Sequence, residues 1–100
     1  MSYKPPVESS IYKDLNFLYR KAVTCQKKKN NQQALFYYSQ ALKQIQSTDK
    51  TNRTIDELRY EICRSMCDIY IQQDDRALAY KSVTEALQIA FILQKWNEIT

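Results

Sequence analysis

The side chains best suited to chemistry are three cysteines, Cys25, Cys63 and Cys67, two of them four residues apart. On a helix that spacing brings both thiols to one face, where they could share a metal. Zinc takes four ligands, and the chain offers one further cysteine and no histidine. Cys63 and Cys67 are therefore expected to serve as small apolar core residues. Without histidine the commonest general base is missing too. The acidic pairs Asp56-Glu57 and Asp74-Asp75 stand where helices should begin, so capping and the helix dipole account for them. No Ser or Thr lies in a nucleophile motif, and a phosphate-cradling loop cannot be built from a chain with no glycine. The expectation is a binding protein, not an enzyme, with no cofactor and no metal.

Charge narrows the partners. The net charge is +4, with nine Lys and Arg against three Asp and Glu in residues 1–50, and six against eight in residues 51–100. A basic first half suits an acidic partner or nucleic acid. Its densest cluster, Lys27-Lys28-Lys29, falls where a helix should end, and lysines there complement the dipole and stay solvated. Protein is the expected partner, and a nucleic-acid-binding helical domain the alternative. An odd number of cysteines with no secreted-type spacing, and no leader segment, points to an intracellular, cytoplasmic protein. No apolar run reaches the ~20 residues that span a bilayer, so a membrane-spanning protein is not expected.

The elements that position these groups are helices. Lack of glycine argues against a turn-rich β protein, since tight turns need positive φ, whereas asparagine can serve at helix ends. Residues 1–9 hold both prolines and read as an extended arm, leaving residues 10–100 as one domain. A first helix is predicted from an N-cap at Ser10 to about Lys28, with Ile11, Leu15, Leu18, Ala22 and Cys25 facing inward. Asn30 and Gln33 have capping-box spacing, which starts a second helix through Ala34, Tyr38, Ala41, Leu42 and Ile45. After the polar stretch 47–53, Thr54 and Glu57 form another such pair. They open a third helix with Ile55, Leu58, Ile62, Met66, Ile69 and Tyr70 inside. The fourth is predicted from about Asp75 to about Trp96, with Ala79, Val83, Ala86, Leu87, Ala90 and Leu93 inside. Short connections make antiparallel hairpins of the first and second pairs, and two stacked hairpins are the all-α architecture expected.

A stripe recurs within these helices. Ala34, Tyr38 and Ala41 share one helix face, and the same spacing returns 45 residues later at Ala79, Val83 and Ala86. With Leu18, Lys21, Ala22 and Cys25 before the first stripe, and Cys63, Met66, Cys67 and Tyr70 before the second, the pattern resembles the tetratricopeptide repeat family. Small residues, Ala22 and Cys67, occupy its Gly-type positions and Tyr70 its Tyr position. Lys21 departs from its Leu position, no Pro closes either repeat, and the 45-residue separation exceeds that family's usual ~34. The microtubule-interacting-and-trafficking domain is also similar in the spacing from Lys21-Ala22 to Ala34, and implies no fourth helix.

The tetratricopeptide resemblance implies a protein-binding adaptor or complex subunit, with the first helix of each hairpin lining a groove. Carried over by position, the groove comprises Asn16, Tyr19, Arg20, Val23, Gln26 and Lys27, then Glu61, Arg64, Ser65, Asp68 and Ile71. Family members that hold a chaperone's terminal carboxylate use Lys and Asn in the first repeat and Asn in the second. Tyr19, Val23 and Ser65 stand at those positions here, so that function is not expected. Repeat arrays end in a polar cap, yet Phe91, Ile92 and Trp96 crowd the end of the last helix. They are expected to form a C-terminal interface.

Overall fold

A computed structural model describes residues 7–48 and 52–99, with side chains over residues 12–48 and 52–98. The protein is all-α, with four helices: α1 Val7–Lys27, α2 Asn31–Ser47, α3 Arg53–Gln72 and α4 Arg76–Ile99. It divides into two compact units, Met1–Lys50 and Thr51–Thr100. Each unit is one hairpin, α1 packed on α2 and α3 packed on α4. The extended arm expected over residues 1–9 lies outside the described residues up to residue 6. From Val7 the chain is already helical, so Ser10 sits inside α1 and does not cap it. The side chain of Ile11 lies outside the described residues as well.

The two hairpin turns match bond for bond. In the first, the Asn30 amide donates to the Cys25 carbonyl (2.8 Å) and the Lys29 amide to that of Gln26 (3.0 Å). In the second, the Asp75 amide donates to the Tyr70 carbonyl (2.9 Å) and the Asp74 amide to that of Ile71 (3.0 Å). This pair of bonds closes a helix when the residue after its C-cap turns left-handed. Lys29 (φ 62°) and Asp74 (φ 57°) do so, taking the place that glycine or asparagine usually holds. Asn30 is then free to cap α2, accepting from the Gln33 amide at 3.4 Å, and Asp75 caps α4, accepting from the Leu78 amide at 3.2 Å. Each turn thus ends one helix and starts the next with three residues.

The α3 start differs from the Thr54 cap expected. Asn52 caps the helix, its side chain accepting from the Ile55 amide at 2.9 Å. Glu57 pairs instead with Arg53 one turn away (3.1 Å), an exposed contact worth a few tenths of a kcal/mol, about 0.2–0.5.

In the first hairpin the core is Leu15 and Ala22 from α1 with Ala34, Tyr38, Ala41 and Ile45 from α2. The small–aromatic–small stripe therefore faces inward. Tyr38 is fully buried, its ring 6.1 Å from that of Tyr19, and its hydroxyl donates to Gln26 Oε1 at 2.8 Å. A buried tyrosine needs such a partner, because an unmade hydrogen bond costs about 1–3 kcal/mol.

In the second hairpin the α3 face is aliphatic: Ile55, Leu58, Ile62, Cys63, Met66 and Ile69 are buried. Opposite them α4 buries Ser82, Ala86 and Ile89, with Ala79, Leu93 and Trp96 half-buried on the same face. Val83 and Leu87, expected inside, are exposed. The inward face of α4 thus runs 79, 82, 86, 89, 93, 96 instead of through Val83 and Leu87. The cause is steric. Contacts from Cys63 to Glu85 and from Cys67 to Ala79 set Ile62 and Met66 opposite Ala86 and Ser82. Bulky residues on α3 take the room that Tyr38 takes in the first hairpin, so α4 must present small ones.

Candidate functional site

Of the three cysteines, Cys63 lies in the core of its hairpin, and Cys25 and Cys67 are half-buried. Cys63 is buried, and its Sγ donates to Glu85 Oε2 at 3.7 Å. Burial first, and the neighbouring Glu85 carboxylate second, push its thiol up to about 12, so it stays protonated and a poor nucleophile. Cys67 points its Sγ at the Ala79 carbonyl (3.6 Å), and Cys25 points its own at Gln33 Oε1 (3.8 Å). All three thiols are free. Among the described residues no group of three or more His, Cys, Asp or Glu is placed to hold a metal ion. No helix described is long and apolar enough to cross a membrane.

Asp56 is the residue that sequence reasoning missed. Its position at a helix start suggests only capping and the helix dipole, yet its side chain is buried in the first turns of α3. Its Oδ2 accepts from Trp96 Nε1 at 2.8 Å, and its Oδ1 accepts from Arg59 Nη2 at 3.4 Å. Trp96, expected at an interface with Phe91 and Ile92, is thus half-buried and tied to its own hairpin. The bond joins the start of α3 to the end of α4. Nothing in the local pattern signals it, since the partners lie 40 residues apart.

The residues carried over as a groove divide by exposure. Arg20, Lys27, Glu61, Arg64, Asp68 and Ile71 are exposed, whereas Asn16, Tyr19, Val23, Gln26 and Ser65 are half-buried. Two of the latter are engaged within the first hairpin: Tyr19 against the Tyr38 ring and Gln26 with the Tyr38 hydroxyl. Arg64 lies over the Tyr60 ring, 6.0 Å from its centre.

The surface that stands out is the outer face of α4. Tyr80, Val83, Leu87 and Phe91 are 74, 41, 66 and 62% exposed and follow one another by three, four and four residues. That spacing lines them along one side of the helix, turned away from the Ser82, Ala86 and Ile89 seam. Such a row on a helix already packed by its other side is not needed to hold the hairpin. No family model, curated protein or solved structure matches this chain. Its function is therefore argued from these surfaces. A hint of the row was present in the crowd of apolar residues from Ile89 onward. Tracing the same excess back to Tyr80 would have separated the two faces of α4.

Proposed function

We propose that this chain is a non-catalytic protein-interaction module, a small tetratricopeptide-like adaptor or complex subunit, that docks a protein partner on the outer face of α4. The observation that carries this reading is the exposed row Tyr80, Val83, Leu87 and Phe91. Large apolar side chains in a contiguous exposed patch lose water on association, and aromatic ones are the usual anchors of interfaces. In this reading Phe91 belongs to the interface together with Tyr80, Val83 and Leu87, while Ile92 lies on another side of α4 and Trp96 is bonded within its own hairpin. Glu85 points toward Cys63, so the row is free of carboxylate between Tyr80 and Phe91. An apolar partner face suits it. The three free thiols fit a reducing, cytoplasmic setting.

The test is site-specific photo-crosslinking of the full chain in native extract. A crosslinker at position 87 is expected to capture protein partners, and one at Lys81, on a different face, to capture few. Phe91→Glu is expected to abolish the capture without loss of helicity. Equal capture from positions 81 and 87 would sink the reading.

A further inference from the structure

The first hairpin carries a second, chemically different surface. A groove of about 340 Å³ lies between α1 and α2, lined by Phe17, Arg20, Lys21, Thr24, Cys25 and Tyr37. Positions 17, 20, 21 and 24 share one face of α1, on the flank opposite Tyr19, Val23 and Gln26. The Lys21 ammonium stands 5.0 Å from the centre of the Phe17 ring and 5.6 Å from that of Tyr37. Two rings therefore hold one cation at the rim of an apolar trough, a contact that keeps a lysine in place at little cost. Helical spacing places Lys13 and Lys28 on the same face, a span of about 22 Å, together with Asp14 one turn before Phe17. Across residues 12–48 this hairpin has seven Lys and Arg and a single carboxylate residue, Asp14.

We propose that this groove docks an acidic protein segment. An apolar side chain of the segment fills the trough beside the Lys21 ammonium, against Thr24, Cys25 and the ring edges of Phe17 and Tyr37, and its flanking carboxylates pair with Arg20 and Lys21. Arginine grips a carboxylate with two parallel N–H bonds, and lysine supplies a point charge beside it. A nucleic-acid strand answers the same charge but would use ring faces for stacking. Within the groove those faces already lie against Lys21, which favours the peptide. The groove belongs to the first hairpin and the row to the second, and neither proposal depends on the other.

The experiment is fluorescence anisotropy of the full chain with four labelled probes. They are a glutamate-rich peptide with central leucine and phenylalanine, its glutamine counterpart, a glutamate-rich peptide with serine at both anchors, and an oligouridine of equal charge. The first is expected to bind. Loss of its charge, loss of its anchors, or Lys21→Glu or Phe17→Ser in the protein should each weaken binding about tenfold or more. Lys21 and Phe17 are exposed, so helicity should persist in both variants, and circular dichroism checks this. Oligouridine binding as tight as the peptide's, or peptide binding indifferent to the anchors or to Lys21→Glu, overturns the proposal. So does no peptide binding at all. Phe91→Glu on α4 should leave this binding unchanged while removing the crosslinks from position 87.

Discussion

The two hairpins share a turn and differ in almost everything that the turn connects. Both reverse through one left-handed residue followed by an N-cap, 45 residues apart from Asn30 to Asp75. Yet the residue that fills the first seam, Tyr38, corresponds at that separation to Val83, which faces solvent. Turn geometry is local and repeats with its hydrogen bonds. The rotation of a helix about its axis is instead settled by which facing residues are large. In the first hairpin Ala22 leaves space that Tyr38 fills. In the second Ile62 and Met66 fill it from the other side, so Ser82 turns inward and Val83 turns out, while Ala86 stays buried like its counterpart Ala41. The surfaces follow from the seams: a basic flank with aromatic trough on one hairpin, an apolar row on the other.

The sharpest way to break this comparison is a matched pair of truncations. Tyr38→Ala should destabilise the first hairpin by about 3–5 kcal/mol, as aromatic-to-alanine changes in a core do. Val83→Ala should change the second by no more than about 0.5 kcal/mol, as at other exposed positions. Hydrogen exchange read residue by residue keeps the hairpins separate. Equal losses would show that the stripe repeats after all.

Next in size is Trp96→Phe. It removes the N–H bond to a buried carboxylate, and a hydrogen bond to a charged group is worth about 1.5–3 kcal/mol. Exchange protection near the α3 start and α4 end should fall by that amount while the first hairpin is unchanged. If Trp96 served only a partner, the isolated chain would keep its stability.

A titration sharpens the contrast further. Folded Cys63 keeps its proton to about 12, whereas an ordinary thiol releases it near 9.0. Above 9.0 the unfolded chain binds fewer protons than the folded one, so rising pH favours unfolding of the second hairpin. Below 9.0 the thiol is protonated in both states and contributes no pH dependence. Burial, then Asp75 and Glu85, also push Tyr70 upward, which adds in the same direction. Cys63→Val should flatten the decline between pH 9 and 12, measured against the unaltered chain by denaturant unfolding. At pH 10 the effect should lie below that of Trp96→Phe.

Smallest is the change predicted to be the same in both hairpins. Lys29→Gly and Asp74→Gly relieve a side chain at positive φ, and after the added freedom of unfolded glycine should each stabilise by about 0.5–1 kcal/mol. Unequal gains in thermal melts would mean that the turns are not equivalent in energy, despite their matching bonds.

Much of the fold was legible because it rests on short-range rules. Asn30 and Asp75 announce helix starts by their type and position, and the inward faces of α1, α2 and α3 follow from three-and-four spacing of apolar residues. Where two caps compete within three residues, as Asn52 and Thr54 do, local pattern chose the wrong one. The Asn52 side chain reaches the Ile55 amide, and Glu57 is drawn to Arg53. On α4 the pattern was ambiguous, because apolar residues occupy both sides and either could have been the seam.

By itself the amino-acid order determined the helical class, the four segments, the hairpin turns and the excess of cations in the first half. Each depends on neighbours within a few residues, where backbone hydrogen bonding and side-chain spacing act. Only the tertiary structure decided that α4 turns Val83 and Leu87 outward, that Asp56 and Trp96 bond across the second hairpin, and that Phe17 and Tyr37 hold Lys21 between them. Those outcomes depend on the volumes and polar groups of residues brought together from different helices, which no single stretch of chain contains.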